Sequence, residues 1–197
     1  YDKSMPEEIN RVVTDHISDI LFCSTSTAVQ NLRREGIVKN VFNVGDVMID
    51  AIKENIGIAE KKSNILKRLN LKNKNYIVAT VHRPSNADNK KNMIGILEAF
   101  IQSKETIVFP MHPRTDKYLK SYGLHKKLKG TNIITIKPIG YMDMLVLEKN
   151  AKKILTDSGG MQKEAYFFKV PCITLRDTTE WTETVNDSWN ILTGAKK

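Results

Sequence analysis

Short apolar runs alternate along this chain with longer stretches in which apolar residues recur every three or four positions. Residues 76–81, 106–109, 133–136, 153–155 and 172–175 read as brief buried strands, too short for helices and rich in Ile, Val, Leu and Thr. The stretches between them predict helices over residues 88–103, 116–122, 142–149 and 160–168. Strands alternating with helices of this length imply an α/β fold of right-handed βαβ units, with a parallel sheet covered on both faces. Ahead of this region the pattern is less regular. Ser4 and Glu7 have capping-box spacing around Pro6, and Ile9, Val12, Val13 and Ile17 then predict a helix over 6–18. A short buried strand follows at 20–23, then a helix capped by Ser24 or Thr25, running to Arg34 and ended by Gly36, a strand at 41–44 and a helix over 46–55. The Lys-rich, weakly amphipathic stretch from Ile58 to Leu71 reads as a connection between two structural units or as a plain surface helix. Since Tyr1 has no initiator methionine before it, a piece of a longer protein is expected.

Three strand ends share one plan, an apolar run that stops abruptly at a polar residue. Leu155-Thr156-Asp157-Ser158-Gly159-Gly160-Met161-Gln162-Lys163-Glu164-Ala165 passes from strand through a small polar turn into a helix. The first N–H groups of a helix lack intrahelical partners and carry partial positive charge, so Ser158, Gly159 and Gly160 make a seat for phosphate. The other two corners are His82-Arg83 after residues 76–81 and His112 after residues 106–110. Ligands of open α/β sheets bind beyond the carboxyl ends of the strands, so three such corners suggest one site.

Composition narrows the reading. At 41% hydrophobic, 197 residues can fill a core, and an excess of 31 Lys plus Arg over 22 Asp plus Glu gives a net charge of +9. That charge favours anionic partners, but the lysines are spread along helical faces without aromatic interleaving, which reads as a solvated surface rather than a nucleic-acid footprint. Cys23 and Cys172 lie far apart in apolar runs with no second metal-ligand pair, so buried reduced thiols are expected and no metal or cofactor is implied. No apolar run approaches a membrane span and no signal peptide is present, and both fit a cytoplasmic protein.

The corner residues differ in what they offer. Arg83 supplies a fixed charge for phosphate oxygens, and His82 a proton carrier near neutral pH. His112 is held between Pro110 and Pro113, as a ligand contact or a simple turn cap. Glu164 lies one turn into the Gly-Gly helix, where it could accept hydrogen bonds from ribose hydroxyls or merely favour the helix dipole. Glu7 on its own is a capping partner. His16 and His125 carry no functional assignment and read as solvated.

With these residues in hand, the chain resembles the non-hydrolysing UDP-N-acetylglucosamine 2-epimerases. The resemblance rests on Pro6-Glu7-Glu8-Ile9-Asn10-Arg11, Thr80-Val81-His82-Arg83, Pro110-Met111-His112-Pro113, residues 155–165 and Leu175-Arg176-Asp177-Thr178-Thr179-Glu180, in family order over nearly the whole chain. It implies a glycosyltransferase-B type architecture of two Rossmann-like domains, usually as a homodimer, with UDP held mainly by the C-terminal one. Residues 1–57 are then the remnant of the first domain, 58–72 the connection and 73–197 the UDP-binding domain. Several catalytic groups of the family would lie outside this chain, which alone is expected to be inactive. The implied reaction inverts C2 of UDP-N-acetylglucosamine to give UDP-N-acetylmannosamine, through loss of UDP to a bound 2-acetamidoglucal and its re-addition. Carried over by the same resemblance, His82 and Glu7 are the catalytic candidates, Arg83, His112, Ser158, Gly159 and Gly160 meet the diphosphate and nucleotide, and Glu164 holds ribose.

Two positions depart from the family pattern. Trp181 stands where many members have Arg, and Met144 where an aromatic contact is common. Three other readings stay open on sequence: a hydrolysing 2-epimerase that releases UDP and free N-acetylmannosamine, a UDP-sugar glycosyltransferase of the same architecture, and a basic nucleic-acid-binding protein.

Overall fold

A computed structural model of the protein describes residues 6–195. Two compact units divide it, one ending at Ala51 and one beginning at Ile52. The expected capping contribution of Ser4 lies outside the described residues.

The first unit contains α1 (Pro6–Ile17), β1 (Leu21–Cys23), α2 (Ser26–Arg34) and β2 (Val41–Asn43), with the two strands parallel. Thr25 is the cap of α2, its hydroxyl accepting from the Ala28 N–H at 3.1 Å, and Gly36 leaves the helix at φ +83°, a conformation that costs glycine little. Arg11 ties α1 to the end of α2 by donating to Glu8, Asp15 and Glu35. The core here is small, built on Leu21, Cys23 and Leu32. In β1, Leu21 and Cys23 are buried, while Phe22 lies beside Phe42 on the other face.

The chain passes into the second unit through α3 (Val47–Lys62) and α4 (Ile65–Arg68). Helix α3 runs well past residue 55, where the sequence pattern weakens. Two buried residues on one stripe, Ile52 and Ala59, hold its second half in register.

From here the order is β3 (Ile77–Thr80), α5 (Pro84–Ala87), α6 (Lys90–Gln102), β4 (Ile107–Pro110), α7 (Pro113–Ser121), α8 (His125–Leu128), β5 (Ile133–Ile136) and α9 (Tyr141–Asn150). Then follow β6 (Lys153–Thr156), α10 (Gly159–Phe167), β7 (Cys172–Thr174), α11 (Thr182–Asn186) and β8 (Asn190–Leu192). Six strands form one sheet in the order β5-β4-β3-β6-β7-β8, every neighbouring pair parallel. Each residue of β3 and β4 is buried, as required of central strands packed on both faces. Ile77, Ala79 and Val81 join Met93, Leu97 and Phe100 of α6 and Leu119 of α7 in the main core. Between them, Thr80 turns the other way, meeting the hydroxyl of Thr156 at 2.7 Å beneath Met161 of α10.

β8 and α11 have no strong sequence signal. Their junction is polar: Asn190 accepts from Thr174 at 2.8 Å and donates to Thr184 at 3.1 Å and Gln162 at 3.2 Å. A buried amide network therefore does there what aliphatic side chains do elsewhere, and no apolar run marks it.

The strand order fixes where a ligand can enter. From β3 the chain moves outward to β4 and β5, crosses back to lay β6 on the other side of β3, then moves outward to β7 and β8. Only at β3 and β6 do adjacent strands send their following segments in opposite directions. This opens a crevice at their carboxyl ends.

Candidate active site at the switch point of the sheet

Two corners bound the crevice, His82-Arg83 after β3 and Asp157-Ser158 after β6, and one buried side chain joins them. Asp157 is completely buried, and its carboxylate accepts the backbone N–H of His82 at 3.0 Å and of Arg83 at 2.9 Å. It also accepts from Nδ2 of Asn86 at 3.1 Å, and the same amide donates to the Leu175 carbonyl at 2.8 Å. A buried carboxylate tolerates its position only with several such donors. The arrangement aims two backbone amides inward and leaves the His82 and Arg83 side chains, both half-buried, at the mouth.

His82 Nδ1 lies 3.4 Å from Asp157 Oδ1. Burial pushes this imidazole below its ordinary 6.5; Asp157 opposes the shift, while His112, Arg83 and Arg114 add to it. Burial thus favours the neutral ring, and the carboxylate behind it would stabilise the imidazolium beside an anion in front.

His112 enters from β4. It is the N-cap residue of α7, and its Nδ1 accepts from the Arg114 N–H at 3.1 Å, which places a ring proton on Nε2. It therefore caps a turn, and its ring centroid stands 5.2 Å from that of His82. Thr115 Oγ1 donates to the Val81 carbonyl, and Arg114 makes a two-pronged ion pair with Asp88 at 2.8 and 2.7 Å, so α7 is fastened to the loop after β3.

Across the crevice, Ser158 caps α10. Its N–H donates to Thr156 Oγ1 at 2.9 Å and its hydroxyl receives the Met161 N–H at a long 3.4 Å. The first N–H groups of this nine-residue helix point toward the opening at Gly159 and Gly160. A Cβ at Gly159 would meet Trp181 Nε1 at 3.2 Å and Glu180 Oε2 at 3.7 Å, so the segment after β7 folds over the glycine corner. Thr179 fixes that segment by donating to Gln162 of α10 at 2.5 Å and accepting the Trp181 N–H at 3.1 Å. Lys163 Nζ sits 4.1 Å from the centre of the Trp181 ring. The sequence departure at Trp181 therefore puts an indole with a cation on its face beside the N-terminus of α10.

Glu164 is buried, at 8% exposure, and meets the carboxyl of Glu148, which is completely buried on α9. Burial raises both above the ordinary carboxylate range, Glu148 the more strongly, and each senses the other. Sequence reading missed Glu148, because its neighbours Leu145, Val146 and Leu147 are core residues and one Glu among them looks like a surface turn. It also passed over Asp157 and Asn86. The first was visible as a charged residue directly ending an apolar strand; the second had no local signal.

His82, Arg83, His112, Ser158, Gly159, Gly160 and Glu164 thus all belong to the carboxyl-edge corners of one sheet or to the helix that starts there. Glu7 lies in the first turn of α1, exposed, in the other unit. His16 and His125 are used locally, the first against the Val12 carbonyl and the second against Asp116, each at 2.8 Å. Both cysteines are free and buried. Among the described residues no group of three or more His, Cys, Asp or Glu could hold a metal, and no helix is long and apolar enough to cross a membrane.

The chain is 59% identical over its whole length to a UDP-N-acetylglucosamine 2-epimerase homolog of Methanococcus maripaludis and 49% identical to the UDP-N-acetylglucosamine 2-epimerase of Methanocaldococcus jannaschii. It is 39% identical to the UDP-2,3-diacetamido-2,3-dideoxy-D-glucuronate 2-epimerase of Pseudomonas aeruginosa. It spans 56% of the length of the two archaeal relatives and 54% of the bacterial one. The Methanocaldococcus jannaschii enzyme in complex with UDP-GlcNAc and UDP superposes with a TM-score of 0.92 over 99% of this chain and 56% of that one. A Rickettsia bellii 2-epimerase, 32% identical, superposes at 0.86. The fold is accordingly the Rossmann-like, glycosyltransferase-B type shared by these enzymes, and since the UDP-N-acetylglucosamine 2-epimerase family model matches residues 1–197, the chain belongs to that family.

Proposed function

We propose that the protein of which this chain is part interconverts UDP-N-acetylglucosamine and UDP-N-acetylmannosamine by eliminating UDP to a 2-acetamidoglucal and adding it back. The observation that carries this reading is the pairing at the switch point: a helix N-terminus with two glycines faces a neutral histidine backed by a buried aspartate. Departure of UDP from C1 leaves a full negative charge on the diphosphate, and such a step accelerates when preorganised donors already surround the developing charge. In this reading the α10 amides at Gly159 and Gly160, the Ser158 corner, Arg83 and the Nε2–H of His112 receive the diphosphate. As charge builds, His82 gains a proton more readily, with Asp157 behind it.

The C2 proton is only weakly acidic, so its removal is coupled to loss of the C1 oxygen. Inversion then needs proton groups on both faces of the sugar. His82 is proposed for the diphosphate side and Glu7 as one proton-transfer group, the latter on family resemblance. Glu164, in the second turn of α10, is proposed to accept the ribose hydroxyls. We further propose that UDP is contained mainly by the domain of residues 73–197, that residues 58–72 connect it to the remnant of the first domain in residues 1–57, and that the active form is a homodimer in the cytoplasm. Two buried free thiols are consistent with a reducing compartment.

The test is incubation of the full-length protein with UDP-N-acetylglucosamine in heavy water. Deuterium at C2 in both UDP-sugars supports the proposal. Free N-acetylmannosamine and UDP would establish the hydrolysing reaction instead, and transfer of sugar to an added acceptor without C2 exchange would make the protein a glycosyltransferase.

A further inference from the structure

Glu148 is a costly residue. It lies at 0% exposure in the last turn of α9, and neither carboxyl oxygen receives an N–H or O–H from a described residue other than its carboxyl neighbour. An anion there would face the negative end of the helix dipole and bear the full desolvation cost with no compensating donor. The neighbour is Glu164, packed against it where α9 meets α10. Two carboxyl groups in contact can form a hydrogen bond only if one carries a proton. Glu148, the deeper of the two and remote from cations, is the better place for it.

The surrounding charges point the same way. On α10, Lys163 lies on the Glu164 side and favours the anion there. On α9 itself, Tyr141 is held above its ordinary value by burial and by both carboxyls. On β7, burial pushes the Cys172 thiol up to about 12, so it stays neutral, with its sulfur 4.0 Å from Thr174 Oγ1. The cations around α9 are engaged elsewhere: Arg68 of α4 pairs with Asp143, Lys149 with Glu60, and Lys74 donates to the carbonyls of Lys149 and Ala151.

We propose that Glu148 is a positioning residue: as a neutral carboxylic acid it donates a hydrogen bond to the carboxylate of Glu164 and fixes that carboxylate to accept the 2′- and 3′-hydroxyls of a nucleotide ribose. This rests on the proposed nucleotide site and gives the second carboxyl a task in it. A lone glutamate at the edge of a pocket can rotate away and be solvated. One gripped from behind by an acid O–H offers its outward lone pairs in a fixed direction, and ribose recognition then requires the proton on Glu148. When that proton is lost at alkaline pH, the two carboxylates repel and the ribose contact loosens.

The experiment uses the full-length protein and titration calorimetry with UDP and 2′-deoxy-UDP from mildly acidic to alkaline pH, on the wild type, Glu148→Gln and Glu148→Met. Glu148→Gln keeps a donor and cannot titrate, so it should bind UDP within about threefold of wild type and lose the alkaline weakening. Glu148→Met keeps the volume without a donor and should bind UDP about tenfold more weakly, the loss of one hydrogen bond to a charged group, while 2′-deoxy-UDP binding changes less. Equal UDP affinity and equal UDP to 2′-deoxy-UDP preference in all three proteins would overturn the proposal. If the Met variant does not fold, infrared difference spectra of wild type minus Glu148→Gln in heavy water decide: a protonated carboxyl band at neutral pH supports it, and its absence refutes it. A wild type that fails to bind UDP at all would instead sink the nucleotide site, an outcome distinct from either.

Discussion

Replacing Asp157 with Asn tests whether one buried carboxylate holds the two halves of the crevice together. Asp157 receives three N–H donors, from the His82 and Arg83 backbone and from Asn86. A hydrogen bond to a charged group contributes about 1.5–3 kcal/mol and a neutral one about 0.5–1.5, so uncharging the acceptor costs about 1 kcal/mol per bond, and the three together about 3 kcal/mol. The substitution preserves volume, and no cavity is created. Asp157→Ala should cost more, because it leaves all three donors without a partner in a buried site. Trp181 and Trp189 both lie in this unit, so their fluorescence during urea unfolding reads the relevant transition. With an unchanged m value, a loss below about 1 kcal/mol for Asn, or an Ala variant as stable as Asn, would refute the bridging role.

Ser158→Trp should abolish UDP binding by filling the mouth of α10, with far-UV circular dichroism unchanged; undiminished UDP affinity would move the phosphate seat elsewhere. Gly159→Ala places a methyl 3.2 Å from Trp181 Nε1, so the indole must shift, and UDP affinity should fall severalfold with little change in thermal midpoint. Burial holds His82 below 6.5, and a diphosphate beside it favours the charged form, so UDP binding near that pH should take up protons. Calorimetry in buffers of different ionisation enthalpy measures this, and uptake that persists in His82→Gln would assign it to another group. Glu148 binds a proton more tightly folded than unfolded, so its contribution to stability is complete below about 4.5 and is lost as pH rises toward its folded value. Urea midpoints across pH should fall more steeply in wild type than in Glu148→Gln.

Much of this was legible in the sequence because the sheet is buried on both faces. Its strands must be short apolar runs, and a polar residue ending such a run has to be a corner; His82, His112 and Ser158 were found that way. The polar side of the molecule was harder to read. β8 is held by Asn190, Thr174 and Gln162, residue types that signal loops when seen in isolation. Glu148 was invisible because a carboxyl amid Leu145, Val146 and Leu147 makes sense only beside a second carboxyl sixteen positions further on, a contact between helices that leaves no periodic trace. Asn86 is of the same kind, a residue whose partners are Asp157 and Leu175.

The Asp157 bridge has a temporal consequence. It joins residues 75 positions apart, so neither rim of the crevice can be aligned until the chain has emerged past Asp157 and β6 has slid in beside β3. A chain still being synthesised, with β3 and β4 in place but β6 inside the ribosome, owns its histidines and has nowhere to put a nucleotide. At the proposed nucleotide site, capture of UDP would therefore report on the docking of β6, and the ligand would favour that step of assembly over every earlier one.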